Sequence, residues 1–248
     1  MVPDYVEKRI RRPAPTDSSV VPGSTPVIAF GNARTAQVAT LGLNPSRVEF
    51  LGKDGELLSG DERRLATHSS LGTSDLELAP LSVVSRVLDD CDSYFHRRPY
   101  GRWFGRFGAT LSACGVCYRD GSACHLDSVQ WATDPVWGKL QPRSLRRRLA
   151  EDDARFLAQQ LRRENIRLLL VNGRGVLREL ARSMGGDLVI REARRVQVSD
   201  TLRTALLAGR LFGRVKVVGW STNLQSARGV TGEFCQKILP KHVAAYSA

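Results

Sequence analysis

Four short apolar runs, at residues 37–43, 124–129, 166–171 and 215–219, are separated by long stretches with helical rather than strand periodicity. Parallel strands cannot be joined by a tight turn and need a crossover of a dozen or more residues, usually a helix. The spacing therefore predicts βαβ units, and with them a three-layer α/β/α domain around a central four-stranded parallel sheet. Helices are expected over 81–89, where Val83, Val84, Val87 and Leu88 fall on one face, and over 103–114, stopped at Gly115. Further helices are expected over 142–164, over 173–184 up to Gly185-Gly186, and over 232–246, interrupted or ended near Pro240. Residues 47–72 are polar and glycine-containing and read as a long functional loop with one short helix near 61–66.

Residues 1–26 carry five prolines, several Ser and Thr and a basic cluster at 8–12, which predicts a basic, Pro-rich arm over the surface of a single domain spanning 27–248. The N-terminus has no apolar core of the kind a secretory signal needs, and no apolar stretch nears the roughly 20 residues that cross a bilayer. A cytoplasmic protein is expected. Of 37 basic residues 31 are arginine, and 25 acidic residues leave a net charge of +12. Such a field attracts phosphates, although arginine enrichment across a GC-rich genome gives the same count. The five cysteines, an odd number, are expected as reduced thiols.

In a doubly wound sheet the ligand crevice lies at the carboxyl ends of the strands. The residues there are Asn44-Pro45-Ser46, Asp127-Ser128, Asn172-Gly173-Arg174-Gly175, and Trp220-Ser221-Thr222-Asn223-Leu224. Leu41-Gly42-Leu43-Asn44-Pro45-Ser46 resembles the first active-site motif of the uracil-DNA glycosylase superfamily, a strand ending in Gly-x-Asp/Asn-Pro. His125-Leu126-Asp127-Ser128-Val129 resembles its second strand, Leu170-Val171-Asn172-Gly173-Arg174 its middle strand and turn, and Val218 to Gln225 the region of its DNA-inserting loop. The order and spacing match over residues 35–245. The resemblance implies a DNA glycosylase in which Asn44 holds the hydrolytic water, Asp127 reads the base edge and Leu224 fills the gap left by a flipped nucleotide.

Three departures redirect the expected substrate. Asn44 stands where the strict uracil enzymes carry Asp, as in the mismatch-specific thymine/uracil branch, and holds water by hydrogen bonds rather than as a charged base. Ser46 replaces a tyrosine that blocks substituents at C5 of the base. Asp127 replaces an asparagine that serves uracil. An ionised carboxylate only accepts hydrogen bonds, which suits the N4 amino group of cytosine, unless Asp127 is instead a buried cap or an arginine's partner. A C5-modified cytosine, such as the glucosylated hydroxymethylcytosine of some phage DNA, is therefore expected ahead of uracil or mismatched thymine, and an antiviral role would fit. The third loop lacks the family's histidine, so loss of activity, leaving a DNA-binding relative, is the competing reading.

Phe50 and His68 are the first candidates to stack on the base, with Tyr94 and Phe95 further off; Phe50 could equally anchor its loop and His68 cap a helix. Arg47, Arg174, Ser221, Thr222, Asn223 and Arg228 are candidates for DNA contact. Leu224 could be a core leucine, but its polar neighbours favour exposure. Cys114, Cys117, Cys124 and His125 have the only metal-like spacing, and buried thiols are the better account, so no metal or other cofactor is expected. None of the six lysines stands at a strand's carboxyl end, so the expectation is a monofunctional, monomeric enzyme that leaves an abasic site.

Overall fold

All four apolar runs form parallel strands in the computed structural model, which describes residues 1–16 and 18–247. In chain order the elements are α1 (Asp4–Arg11), β1 (Val38–Gly42), the one-turn α2 (His68–Leu71), α3 (Leu81–Asp92), α4 (Gly101–Ala113), β2 (Ala123–Asp127), α5 (Arg143–Arg163), β3 (Leu168–Asn172), α6 (Arg174–Met184), β4 (Leu188–Ser199), β5 (Leu202–Leu211), β6 (Val215–Trp220) and α7 (Leu239–Ser247). They make one sheet of order β2-β1-β3-β6-β5-β4. Strands β1, β2 and β3 are buried along their whole length, as parallel strands covered on both faces must be. Ala39, Leu41, Leu169 and Val171 pack against Leu157 and Leu161 of α5 and Val176 and Leu180 of α6. Leu170, Val218 and Trp220 face the other way, into a cluster with α3, α4 and α7.

The expected four-stranded, wholly parallel sheet is corrected to six strands. β4 and β5 form an antiparallel hairpin that extends the sheet beyond β6. β4 is mostly exposed and rich in arginine, the composition of an edge strand that one face of the protein does not cover.

The N-terminal arm also differs from expectation. α1 buries Tyr5, Val6 and Ile10 in the same cluster as α3 and α4. Arg9, buried within it, pairs with Asp153 of α5 at 3.1 Å, and its guanidinium lies 4.9 Å from the Trp131 ring. Residues 47–72 hold 3-10 turns at Arg47–Glu49 and Gly60–Glu62 followed by α2, in place of a helix at 61–66. Gly115, at φ +75°, lies just past α4 in the left-handed region that favours glycine. A π-helical stretch, Phe234–Ile238, runs directly into α7, so Pro240 lies within a continuous helix rather than ending it.

Candidate active site

The sheet order places a switch point between β1 and β3, since β1 connects to β2 on one side and β3 to β6 on the other. A cavity of 450 Å³ opens there, within the range of small-molecule sites. Asn44, Ser46 and Arg47 line it from the turn after β1, Asp127 and His125 from β2, Asn172 from β3 and Asn223 from the loop after β6. Four of the strand-end segments read from the sequence thus meet in one place.

Asp127 and His125 share one face of β2 because strand side chains alternate. Thr40 and Gly42 of β1 lie in register with them. His125 Nδ1 is 2.7 Å from Thr40 Oγ1, which is 2.6 Å from the Tyr118 hydroxyl, and His125 Nε2 is 3.5 Å from Asp127 Oδ1. All four side chains are buried, and the hydrogen-bonded chain Tyr118–Thr40–His125 sets the imidazole beside the Asp127 carboxylate. Among the described residues Asp127 neither caps a helix nor pairs with an arginine, and its nearest polar side chain is His125.

Asn44 Nδ2 donates to the Trp131 carbonyl at 3.1 Å and to Thr133 Oγ1 at 3.2 Å. That fixes the carboxamide of a residue in the cavity lining and leaves its Oδ1 as an acceptor without a donor among the described residues. Asn172 Oδ1 accepts from Trp220 Nε1 at 2.7 Å and from the Leu224 amide at 2.9 Å, and so holds the loop after β6 in place.

Glu49, from the 3-10 turn after Asn44, is a further acid in the wall. Burial pushes its carboxyl up to about 7, with Asp127 adding to the rise, while the Tyr94 hydroxyl, which donates to it at 2.7 Å, and the Arg64 guanidinium at 3.9 Å pull it down. Much of the remaining wall is aromatic. Phe104 and Phe107 of α4 lie 5.3 and 5.9 Å from the His125 ring, Phe30 lies 5.7 Å from it, and Trp103 and Trp137 stand in the same lining with aliphatic Leu41, Val136 and Val176.

Several expected positions fall elsewhere. Leu224 is fully buried in the core, not exposed at a loop tip. Its amide is drawn inward by Asn172, and its carbonyl accepts from Arg106. Phe50 is buried and anchors its loop, and its carbonyl accepts from Leu58 N. His68 opens α2 and lines a different cavity, beside Val20 and Trp131. Arg174 and Ser221 line a separate cavity, behind the loop after β6. Thr222 is buried, its amide donating to Thr204 Oγ1 at 3.1 Å, while Arg228 is exposed. Arg47 stands at the mouth, paired with Asp134 at 2.7 Å.

Glu49 and the aromatic wall are site residues that the strand-end motifs do not reveal, and His125 stands out in the sequence only for its metal-like spacing. The i, i+2 spacing of His125 and Asp127 and the i, i+3 spacing of Phe104 and Phe107 are the signals that mark one shared face. The five cysteines are free, and the described residues hold no group of three metal-ligating side chains. No lysine lines the cavity.

The site can therefore clasp a flat ring between aromatic walls, accept hydrogen bonds from it through Asp127, and hold a small polar molecule at Asn44. No protein-family model matches the chain, and no curated protein matches it.

Proposed function

We propose that the chain is a monofunctional DNA glycosylase that flips a C5-modified pyrimidine, cytosine-type ahead of uracil, into the cavity and excises it. The carrying observation is the Asp127 carboxylate, buried at the strand end within a largely aromatic pocket and paired with no arginine among the described residues. It offers acceptors to an exocyclic amino group, and the carboxylate's lack of a donor disfavours O4 of uracil. The parallel run β2-β1-β3-β6 within the six-stranded mixed sheet supports the reading drawn from the resemblance to uracil-DNA glycosylases.

In the reaction, Asn44 Oδ1 orients a water whose oxygen bonds to C1′ of the sugar. The electron pair of the C1′–N1 bond departs with the base, which takes up a proton at N1 from solvent, and the attacking water releases its proton to solvent. Ser46 leaves space for a substituent at C5. With no lysine in the lining, no Schiff base forms and the abasic site stays intact. Bases of this kind occur in some phage genomes, which makes foreign DNA the natural target.

The test is abasic-site formation on DNAs containing uracil, mismatched thymine, cytosine, hydroxymethylcytosine or glucosylated hydroxymethylcytosine, with Asn44→Ala as control. Cleavage after alkali of modified-cytosine DNA alone, lost in Asn44→Ala, is the expected result. Uracil or thymine release would assign the protein to repair instead. DNA binding with every lane intact would leave a non-catalytic DNA-binding protein.

A further inference from the structure

The β4–β5 hairpin forms one wall of a second cavity. Arg203, Ala205 and Leu207 alternate onto one face of β5. On β4 a bulge between Glu192 and Arg194 inserts one residue, so that Glu192 and Arg195, three apart, point to that same face. Arg174 and Arg178 of α6 close the opposite wall of a 360 Å³ space. Four guanidinium groups thus converge with one carboxylate, and that carboxylate, Glu192, is already paired with Arg195 at 2.8 Å. Arg174, Arg178 and Arg203 are exposed and have no ion-pair partner among the described residues.

This cavity sits directly behind the loop whose other side faces the Asp127 pocket. Gly173 N donates to the Trp220 carbonyl at 2.9 Å and Arg174 N to the Ser221 carbonyl at 3.0 Å, which ties the start of α6 to that loop. Asn172 and Asn223 thereby line the first cavity, while Arg174 and Ser221 line the second. Four guanidinium groups brought together with a single carboxylate repel one another, and a polyanion bound between them relieves that cost.

We propose that the arginine-lined cavity between α6 and the β4–β5 hairpin binds backbone phosphates of DNA, holding the strand on one side of the loop after β6 while the target nucleotide enters the pocket on the other. The assignment rests on the DNA-directed reading above and supplies a grip that reads no base. The hairpin is then a working part of the enzyme, and the sheet's extra strands position phosphates rather than the reacting bond.

The experiment measures affinity for unmodified duplex DNA across a salt series, by fluorescence anisotropy, for Arg178→Ala/Arg203→Ala and for Arg178→Lys/Arg203→Lys. The charge-matched control is Arg119→Ala/Arg167→Ala, exposed positions just ahead of β2 and β3 at the opposite end of the strands. For every phosphate that a variant no longer neutralises, the slope of log affinity against log salt falls by about 0.9. The first pair is expected to lower the slope by about 2 and weaken binding at least tenfold near 0.1 M salt. The lysine pair should recover most of the slope, the control should leave it unchanged, and all should melt with the wild type. An equal loss in the control, or an unchanged slope in Arg178→Ala/Arg203→Ala, overturns the assignment. Abasic-site formation by the wild type is scored separately. Binding lost in the first pair with no excision by any protein would sink the glycosylase reading and leave the phosphate site standing.

Discussion

Gly42 lies in register with Asp127 across β1 and β2, and a Cβ at residue 42 would overlap Asp127 Oδ1 and come within 2.9 Å of His125 Nε2. Here the absent side chain is what gives the carboxylate its place. Gly42→Ala is expected to lower excision at least 100-fold through displacement of Asp127, at a stability cost of about 1–3 kcal/mol. A double-mutant cycle checks it: adding Asp127→Ala to Gly42→Ala should cost little more, whereas additive losses would break the link between the two residues.

Asp127→Asn keeps the size of the side chain and adds a donor. Release of modified cytosine should fall at least 100-fold while release of uracil or thymine rises from a negligible level, read as kcat/KM on paired substrates. An unchanged ratio would take base reading away from this residue.

Glu49 binds its proton more tightly in the folded protein than in the unfolded chain, since its carboxyl is raised from 4.5 to about 7. Its contribution to stability is therefore full below pH 4.5 and is lost as pH rises to about 7, amounting to about 3 kcal/mol. Urea denaturation of wild type and Glu49→Gln at pH 4.5 and pH 8 measures it. The variant should gain relative stability at the higher pH by that order, and a constant difference between the two proteins would refute the assignment.

Leu224→Ala removes a fully buried side chain and is expected to cost about 2–5 kcal/mol of folding stability. Activity per folded molecule at low temperature should stay near that of the wild type. A large drop in activity with an unchanged melting temperature would instead restore the DNA-wedge role that its sequence context suggests.

The strands of the parallel core are legible because continuous apolar runs bounded by turns have few other uses, and the Gly42–Asn44 and Asp127 strand ends follow from them. β4 is hidden for the opposite reason. An edge strand open to water, with Arg191, Arg194 and Arg195 in its middle, lacks the apolar pattern that announces a strand. Leu224 misleads because its burial depends on an acceptor 52 residues away, Asn172 Oδ1, and not on its polar neighbours. The first helix is hidden likewise. Its charge at Arg9 reads as surface until Asp153 is placed beside it. Phe104, Phe107 and His125 are within reach of simple periodicity, whereas the raised Glu49 carboxyl depends on packing from several elements and has no local signature.

Tyr5 of α1 donates its hydroxyl to Glu164, 159 residues along the chain. During synthesis at roughly 5–20 residues per second, the first helix leaves the ribosome about 8–30 s before its acceptor exists. For that interval only the surface formed with α3 and α4 can receive Tyr5, Val6 and Ile10, and the helix stays partly uncovered until α5 has emerged. A helix made early is thus fully secured only late, when an acceptor 159 residues downstream has followed it.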